Sequence, residues 1–286
     1  MPVLIDAYAK INLSLDIIGK REDGYHLLSM VMQSVSLHDT LLLCRRPEGG
    51  IRLRCNRPEL PCDAHNTVYR AAESFFAAAG IRNGNVLIQM RKRIPSQAGL
   101  GGGSSDAAAA LVALNHIYGA GLTADQLCEL GVSVGADVPF CVRGGTALAQ
   151  GIGEKLTSLR PMPHCWIVIC KPQIGIDTAQ AYAMSDQTEK TAFYTPFLAN
   201  AVQSGSLEKI ASSIGNEFEQ VLDLPEISLI KHQMIALGAL GACMTGSGSA
   251  VFSIFDNLES AQLCTKELSR MYRDVFLCEP VEEMEE

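Results

Sequence analysis

Residues 95–111 read PSQAGLGGGSSDAAAAL, and the fold can be worked out from this stretch outward. Its glycines can adopt positive φ angles and can approach a ligand closely because they carry no Cβ. Two serines then lead into an alanine-rich segment of high helix propensity. The pattern predicts a loop that ends in a helix N-terminus, where free amide hydrogens and the positive end of the helix dipole favour a phosphate group.

This glycine loop matches neither of two common phosphate-binding motifs. No lysine follows the glycines as in a Walker A loop, and the glycine spacing differs from that of a Rossmann fingerprint. Taken alone, the stretch is also compatible with a glycine-rich surface loop in front of a core helix. A phosphate site here therefore needs support from other parts of the chain.

Composition limits the classes of protein that the chain can represent. It has 286 residues, of which 48% are apolar, enough for one large domain or two ordinary ones. Its 23 basic and 31 acidic side chains give a net charge of −8, which argues against a nucleic-acid-binding surface. The ten cysteines form no Cys-x-x-Cys pair. We expect reduced cysteines, a cytoplasmic location without a membrane segment, and a monomer or weak homodimer.

Strand patterns dominate the start of the chain and helix patterns follow. The predicted strands cover 6–18, 28–37, 40–45, 51–55 and 86–90, and the predicted helices cover 66–79, 105–117 and a segment from 123. Alternation in the first strand places Leu13 and Leu15 on the same face. The pair His38-Asp39 indicates a turn, so the first strands are expected to form an antiparallel meander.

A proline-rich joint at residues 160–163 is the expected domain boundary, with an N-terminal domain of residues 1–160 and a C-terminal domain of residues 161–286. After the joint, the order strand, helices, two strands, helix, strand is typical of a ferredoxin-like α+β sandwich. The acidic residues 281–286 indicate a solvated tail.

Two charged residues stand in apolar surroundings. Lys10 is the single cation of the stretch AYAKI (residues 7–11), and Asp137 lies within GADVPF (residues 135–140). Phosphoryl transfer needs a group that orients or deprotonates the acceptor hydroxyl, and cations that offset charge. Each residue also has an ordinary explanation, as a strand-end lysine that extends into solvent and as a helix N-cap. The positions of Lys10 and Asp137 in the sequence do not by themselves show that the two residues lie together in the fold.

Several segments, in this order, resemble the kinases named after galactose, homoserine, mevalonate and phosphomevalonate, the GHMP kinases. They are AKINL (9–13), the glycine loop (95–109), GADVPF (135–140) and TGSGS (245–249). The segment REDGYH (21–26) resembles the corresponding segment of those GHMP kinases that belong to the non-mevalonate isoprenoid pathway and act on a cytidine diphosphate sugar alcohol. The resemblance implies a two-domain α+β fold, with an N-terminal ribosomal-protein-S5-like domain, a C-terminal ferredoxin-like domain and the substrates in the cleft between them.

The same resemblance implies an ATP site and a catalytic pair. Asp137 would take or orient the proton of the acceptor's 2-hydroxyl, and Lys10 would keep Asp137 ionised and steady the transferred phosphoryl group. The implied ATP-binding residues are Asn66, Pro95, Ser96, Gln97, Ala98, Gly99, Leu100, Gly101, Gly102, Gly103, Ser104 and Ser105. Mg²⁺ would accompany ATP. No glutamate here matches the metal ligand of the superfamily, so phosphates, water and the hydroxyl of Ser104 or Ser105 are expected to hold the ion.

The cytidine substrate is implied to contact residues from both halves of the chain. They are Asn12, Tyr25, His26, Asp137, Thr178 and Tyr182. The rings of Tyr25 and Tyr182 can cover the two faces of a pyrimidine, and His26 can hydrogen-bond to its edge. Without the resemblance, Tyr25 would be a core or rim aromatic residue and Asn66 a helix N-cap.

Two alternative functions stay open. A sibling kinase acting on another small alcohol, such as homoserine or mevalonate, is disfavoured by the segment at residues 23–26. A catalytically silent nucleotide-binding regulator on the same fold is disfavoured because both Lys10 and Asp137 are present.

Overall fold

The computed structural model describes residues 1–188 and 192–282, which form two β-sheets with helices packed on them. Seven strands form the larger sheet and four form the smaller one in this described part. Residues 283–286, most of the predicted acidic tail, lie outside the described residues. No helix in the described ranges is long and apolar enough to cross a membrane.

The large sheet is built mainly from the N-terminal half. Its strands are β1 (Val3–Lys20), β2 (His26–Arg45), β3 (Ile51–Cys55), β4 (Val86–Arg91), β5 (Thr146–Gly151), β6 (Lys155–Ser158) and β8 (Gly215–Asn216). The helices of this half are α1 (Thr67–Ala78), α2 (Gly102–Tyr118), α3 (Ala124–Val132) and α4 (Val138–Arg143). The three predicted helices are confirmed as α1, α2 and α3, and Asn66 caps α1 by accepting from the Val68 amide.

The small sheet belongs to the C-terminal half. Its strands are β7 (Trp166–Lys171), β9 (Gly241–Met244), β10 (Val251–Phe255) and β11 (Asp274–Cys278), and the helices are α5 (Thr178–Ser185), α6 (Thr195–Ser204), α7 (Leu207–Ser213), α8 (Phe218–Val221), α9 (Pro225–Ala236) and α10 (Leu258–Leu268). The strand order β11-β7-β10-β9 with antiparallel pairing throughout is that of a ferredoxin-like sandwich. The predicted two-domain α+β fold is confirmed.

Strand β1 contributes to two cores and changes face between them. Leu15 packs in the core formed with α2, whereas Leu13 packs in the core formed with the small sheet. The prediction that both share a face is wrong because the register with β2 shifts between Asn12 and Ser14. Such an irregularity turns the following side chains to the other face. A second shift, before residue 9, bounds the segment that carries Lys10 and Asn12.

The predicted turn at His38-Asp39 is also wrong, since β2 runs through both residues. Asp39 is fully buried, and its carboxylate accepts hydrogen bonds from the backbone amides of Arg93 and Ile94. The polarity of Asp39 suggested a turn, but its hydrogen bonds are made to residues that lie far away in the sequence. The predicted meander fails at its last strand, because α1 carries the chain across the sheet and β3 pairs in parallel with β4.

Buried polar contacts to β1 join the two halves. The Asp16 carboxylate accepts from the amides of Tyr194 and Thr195, which open α6, at 2.8–3.1 Å. Glu217 accepts from the Ile17 amide at 2.6 Å, next to the parallel pairing of β8 with β1. These contacts cross the proposed domain boundary, whose position stays a prediction.

The Asp16 contact can be tested by substitution. Asp16→Ala leaves the amides of Tyr194 and Thr195, the second of them buried, without their acceptor, so we expect the free energy of unfolding to fall by about 3 kcal/mol in urea denaturation. Glu73→Ala, on the exposed face of α1, should change it by less than about 0.5 kcal/mol. Equal losses in the two variants would contradict the assigned role of Asp16.

Candidate active site

The glycine loop joins β4 to α2 and borders a cavity of about 390 Å³. Gly99 and Gly101 have φ angles of +74° and +68°, which residues with a Cβ rarely adopt. Helix α2 begins directly after Gly101, and the amides of its first turn have no acceptor within the helix. All of the predicted residues from Pro95 to Ser104 line this cavity, together with Asn66. The arrangement provides amide donors around a space that can hold phosphate groups.

Residues of the C-terminal half hold the loop from its other side. Thr245 Oγ1 donates to the Gly99 carbonyl at 3.2 Å and accepts from the Asn12 amide at 2.9 Å. The approach is so close that a Cβ on Gly99 would lie 2.0 Å from the Thr245 carbonyl oxygen. The segment TGSGS therefore braces the glycine loop, and only glycine fits at this position of the loop.

Lys10 and Asp137 meet beside the loop. Lys10 Nζ lies 3.4 Å from Asp137 Oδ2 and donates to Asn12 Oδ1 at 2.6 Å. The lysine side chain is 5% exposed and that of the aspartate 28%. The stem of Lys10 runs against Gly101, where a Cβ would lie 2.9 Å from Lys10 Cγ. The structure thus brings together an ammonium, a carboxylate and the helix end that spacing alone could not join.

Asp137 precedes α4, at the position where an N-cap residue stands. Within the described part of the chain, its side chain makes no capping hydrogen bond to the helix, and its backbone is in the αR region. Pro139 in the first turn lacks an amide hydrogen, which reduces the need for a cap. The carboxylate is therefore available to the cleft and to Lys10, and the N-cap explanation does not apply.

A smaller cavity, of about 170 Å³, continues from the Lys10–Asp137 pair toward the C-terminal half. Asn12, Thr178 and Tyr182 line it together with Asp137, so four of the six predicted substrate residues lie together there. Burial raises the pKa of Tyr182 to about 12, with nearby carboxylates adding to the effect. Thr178 Oγ1 lies 2.8 Å from the hydroxyl of Ser247.

Of the other two predicted substrate residues, His26 contacts a residue that lines this cavity. The His26 imidazole stacks on the Tyr182 ring, with centroids 4.4 Å apart and planes at 16°. Tyr25 is 62% exposed. A histidine ring therefore covers one face of Tyr182, and the stacking of a pyrimidine between Tyr25 and Tyr182 stays a prediction.

The two serines of the loop differ in what they contact. The Ser105 hydroxyl donates to the Tyr8 carbonyl at 2.5 Å, which ties α2 to β1. Ser104 faces the start of α4, since a Cβ on Gly135 would lie 3.4 Å from Ser104 Oγ. No group of three or more His, Cys, Asp or Glu side chains that could hold a metal is found among the described residues.

A buried charge cluster below the loop was missed by the sequence reasoning. Lys92 Nζ contacts both Asp39 Oδ2 and Asp106 Oδ2. Burial raises the pKa of Asp106 to about 7, the Asp39 carboxylate adds to the rise and Lys92 opposes it. Asp106 stands in the first turns of α2, so the cluster fastens this helix to β2 and to the residue after β4. The only local signal was a lysine within a few residues of the glycine loop.

This cluster makes stability depend on pH. An unfolded aspartate has a pKa of 3.8 and Asp106 has one of about 7, so the folded state binds this proton more tightly. Its stabilising contribution is present below about pH 4 and is lost as pH rises through about 7. Between pH 5 and pH 8 we expect the wild type to lose about 2 kcal/mol of unfolding free energy relative to Asp106→Asn.

Urea denaturation at several pH values measures this difference. Asp125→Asn is a suitable control, since Asp125 is exposed on α3 and should leave the pH dependence as in the wild type. Parallel pH profiles for the wild type and Asp106→Asn would contradict the prediction.

Comparisons with known proteins show the family to which this chain belongs. The family description "GHMP kinases N terminal domain" matches residues 66–145, and "GHMP kinases C terminal" matches residues 198–274. A homoserine kinase structure from Cytophaga hutchinsonii has a TM-score of 0.79 at 20% identity, covering 99% of this chain and 96% of that one, and it shows the shared fold. The chain belongs to the GHMP kinase family, and it is an ATP-dependent kinase of small molecules.

Relatives that match nearly the full length of this chain indicate which kind of GHMP kinase it resembles. A 4-diphosphocytidyl-2-C-methyl-D-erythritol kinase of Clostridium kluyveri is 48% identical over 98% of this chain and 100% of its own length. The enzyme of that name from Clostridium botulinum is 43% identical over 96% of this chain and 98% of its own length. A crystal structure of 4-(cytidine 5'-diphospho)-2C-methyl-D-erythritol kinase has a TM-score of 0.81 at 33% identity, covering 98% of this chain and 99% of that one.

Proposed function

We propose that this chain transfers the γ-phosphoryl group of ATP to the 2-hydroxyl of 4-diphosphocytidyl-2-C-methyl-D-erythritol, and releases the 2-phosphate and ADP. The observation that carries the proposal is the ion pair of Lys10 and Asp137 beside Gly101, between the two cavities. The names of the full-length relatives support the choice of acceptor.

ATP binds in the larger cavity in this proposal. Its phosphates lie on the loop from Pro95 to Ser105, where amide hydrogens and the α2 dipole stabilise negative charge. Asn66 lies at the same cavity, on the side where the adenine would bind. A Mg²⁺ ion bound with the phosphates would offset their charge, and of the two serines at the start of α2 Ser104 would help to hold it, because the Ser105 hydroxyl is bonded to the Tyr8 carbonyl.

Asp137 accepts the proton of the 2-hydroxyl, or orients it, as the oxygen attacks phosphorus. A partly exposed carboxylate in a cleft can reach a substrate hydroxyl directly. Lys10 carries three donor hydrogens, of which one is donated to Asn12, and its ammonium is also ion-paired with Asp137. A remaining hydrogen can contact the transferred phosphoryl group, which develops charge next to Gly101.

The cytidine end of the acceptor lies at the Tyr182 side of the smaller cavity. Because the His26 ring covers one face of Tyr182, we propose that the base binds beside the imidazole and that Tyr25 covers it from solvent. Thr178 and Asn12 line the path from the base to the reacting hydroxyl. A cytoplasmic location, where such nucleotide substrates are available, completes the proposal.

ADP release measured over a panel of alcohols tests the proposed reaction. We expect turnover with the cytidine diphosphate methylerythritol and none with homoserine or mevalonate. Turnover of homoserine or mevalonate alone would favour a sibling kinase. Binding of the cytidine substrate with MgATP but no ADP would favour a silent nucleotide-binding protein.

Replacing the acid tests its role. Asp137→Asn should reduce kcat by about 100-fold or more, because an amide cannot accept the proton, while ATP affinity stays near that of the wild type. Asp125→Asn, on the neighbouring helix, should keep wild-type turnover. Near-native kcat in Asp137→Asn would remove Asp137 from the mechanism.

Removing the exposed ring tests the position of the base. Tyr25→Ala should raise KM for the cytidine substrate by about tenfold, with KM for ATP unchanged, because about 1–3 kcal/mol of ring stacking is lost. Tyr25→Phe keeps the ring and should retain most of the affinity. Equal weakening of both substrates by Tyr25→Ala would speak against a base at Tyr25.

A further inference from the structure

One carboxylate at the edge of the cleft has no role in the chemistry above. Asp186 ends α5, and its Oδ2 lies 2.5 Å from Lys20 Nζ while its Oδ1 lies 2.7 Å from His26 Nε2. Lys20 and His26 are paired across the β1–β2 hairpin, where one strand ends and the next begins. Asp186 therefore fastens α5 of the C-terminal half to the loop end of this hairpin.

The contact with Asp186 decides which nitrogen of His26 carries hydrogen. Hydrogen bonds from Lys20 and His26 lower the pKa of Asp186, so it is a carboxylate near neutral pH. A carboxylate only accepts hydrogen bonds, which means that His26 Nε2 must be the N–H nitrogen. In the neutral ring, the other nitrogen is then an acceptor.

The remaining nitrogen is available to a ligand. His26 Nδ1 makes no hydrogen bond with any residue in the described ranges, although the side chain is only 11% exposed. The stacking of the ring on Tyr182 and the bond to Asp186 together fix its orientation. Tyr182 and Asp186 stand one helical turn apart on α5, so a single helix supplies both restraints.

We propose that Asp186 is a positioning residue for base recognition: it holds His26 as the Nε2–H tautomer and so presents Nδ1 as an acceptor to the 4-amino group of cytosine. This inference rests on the proposed cytidine substrate. Uracil carries a carbonyl oxygen at the same place, which would set two acceptors against each other. Sites built around such a hydrogen bond discriminate strongly against a ligand that cannot make it.

The test compares binding of cytidine 5'-diphosphate and uridine 5'-diphosphate with the ATP site filled by a non-hydrolysable ATP analogue. The wild type should bind the cytidine nucleotide more tightly. In Asp186→Asn the amide can donate to Nε2 and allow the other tautomer, so we expect the preference to fall by about tenfold. With full substrates, KM for the cytidine compound should rise while KM for ATP and kcat stay within about twofold of the wild type.

Two control variants separate positioning from general stability. Lys20→Gln removes the other partner of Asp186 without touching the imidazole, and it should keep the base preference. Asp186→Glu retains a carboxylate and should restore most of that preference. A purely structural role of Asp186 would instead lower the melting temperature and weaken both nucleotides alike, which would overturn the proposal.

The ¹⁵N chemical shifts of the His26 ring report its tautomer without any assay of turnover. In the wild type we expect a protonated Nε2 and an unprotonated Nδ1, with the signals assigned by their loss in His26→Gln. A protonated Nδ1 in the neutral wild-type ring would overturn the proposal. If the wild type makes no ADP with the cytidine substrate, the proposed function fails. If it does and Asp186→Asn leaves base preference unchanged, only the role of Asp186 fails.

Discussion

The buried ammonium of Lys10 is the charge on which the site depends. Removing a lysine from water is unfavourable unless acceptors surround it. Lys10 is 4% exposed, and its acceptors are Asn12, two residues along β1, and Asp137, at the start of α4. The ammonium thus joins β1 to the start of α4, while the stem of Lys10 packs against Gly101 and its backbone amide donates to the Leu100 carbonyl, so one residue connects the acid, the strand and the glycine loop.

Buried polar groups of strand β1 also form contacts with the C-terminal half of the protein. Asn12 bonds to Thr245 and so reaches the segment that braces the glycine loop. After the register shift, Ser14 and Asp16 meet Thr195 at the start of α6. The strand that carries the lysine is thus also the strand that fixes the C-terminal half. Geometry at the cleft is therefore sensitive to buried polar groups that never touch a substrate.

Part of the fold and of the candidate site could be predicted from the sequence, because it depends on interactions between neighbouring residues. The glycine loop, helix α2 and the cap at Asn66 follow from backbone preferences of neighbouring residues. The apolar surroundings of Lys10 and Asp137 marked them as candidates, but their contact required the fold. Asp39 was misjudged as a turn residue because its partners lie more than fifty positions away. The register shift in β1 is likewise invisible to a pattern that assumes strict alternation.

The charge balance of the cavity beside the glycine loop is set by the Lys92 cluster. Lys92 lines this cavity, yet two aspartates compensate its charge, so it adds little net attraction for a triphosphate. In the proposed ATP site, the loop amides and the dipole of α2 would therefore supply much of the phosphate recognition, together with Lys10 and Mg²⁺. The amide donors are partial charges with a fixed orientation. They stabilise negative charge that develops at one defined position, and they attract other anions less strongly than a free cation would. For a kinase that must release ADP after each turnover, this favours the transition state over the product.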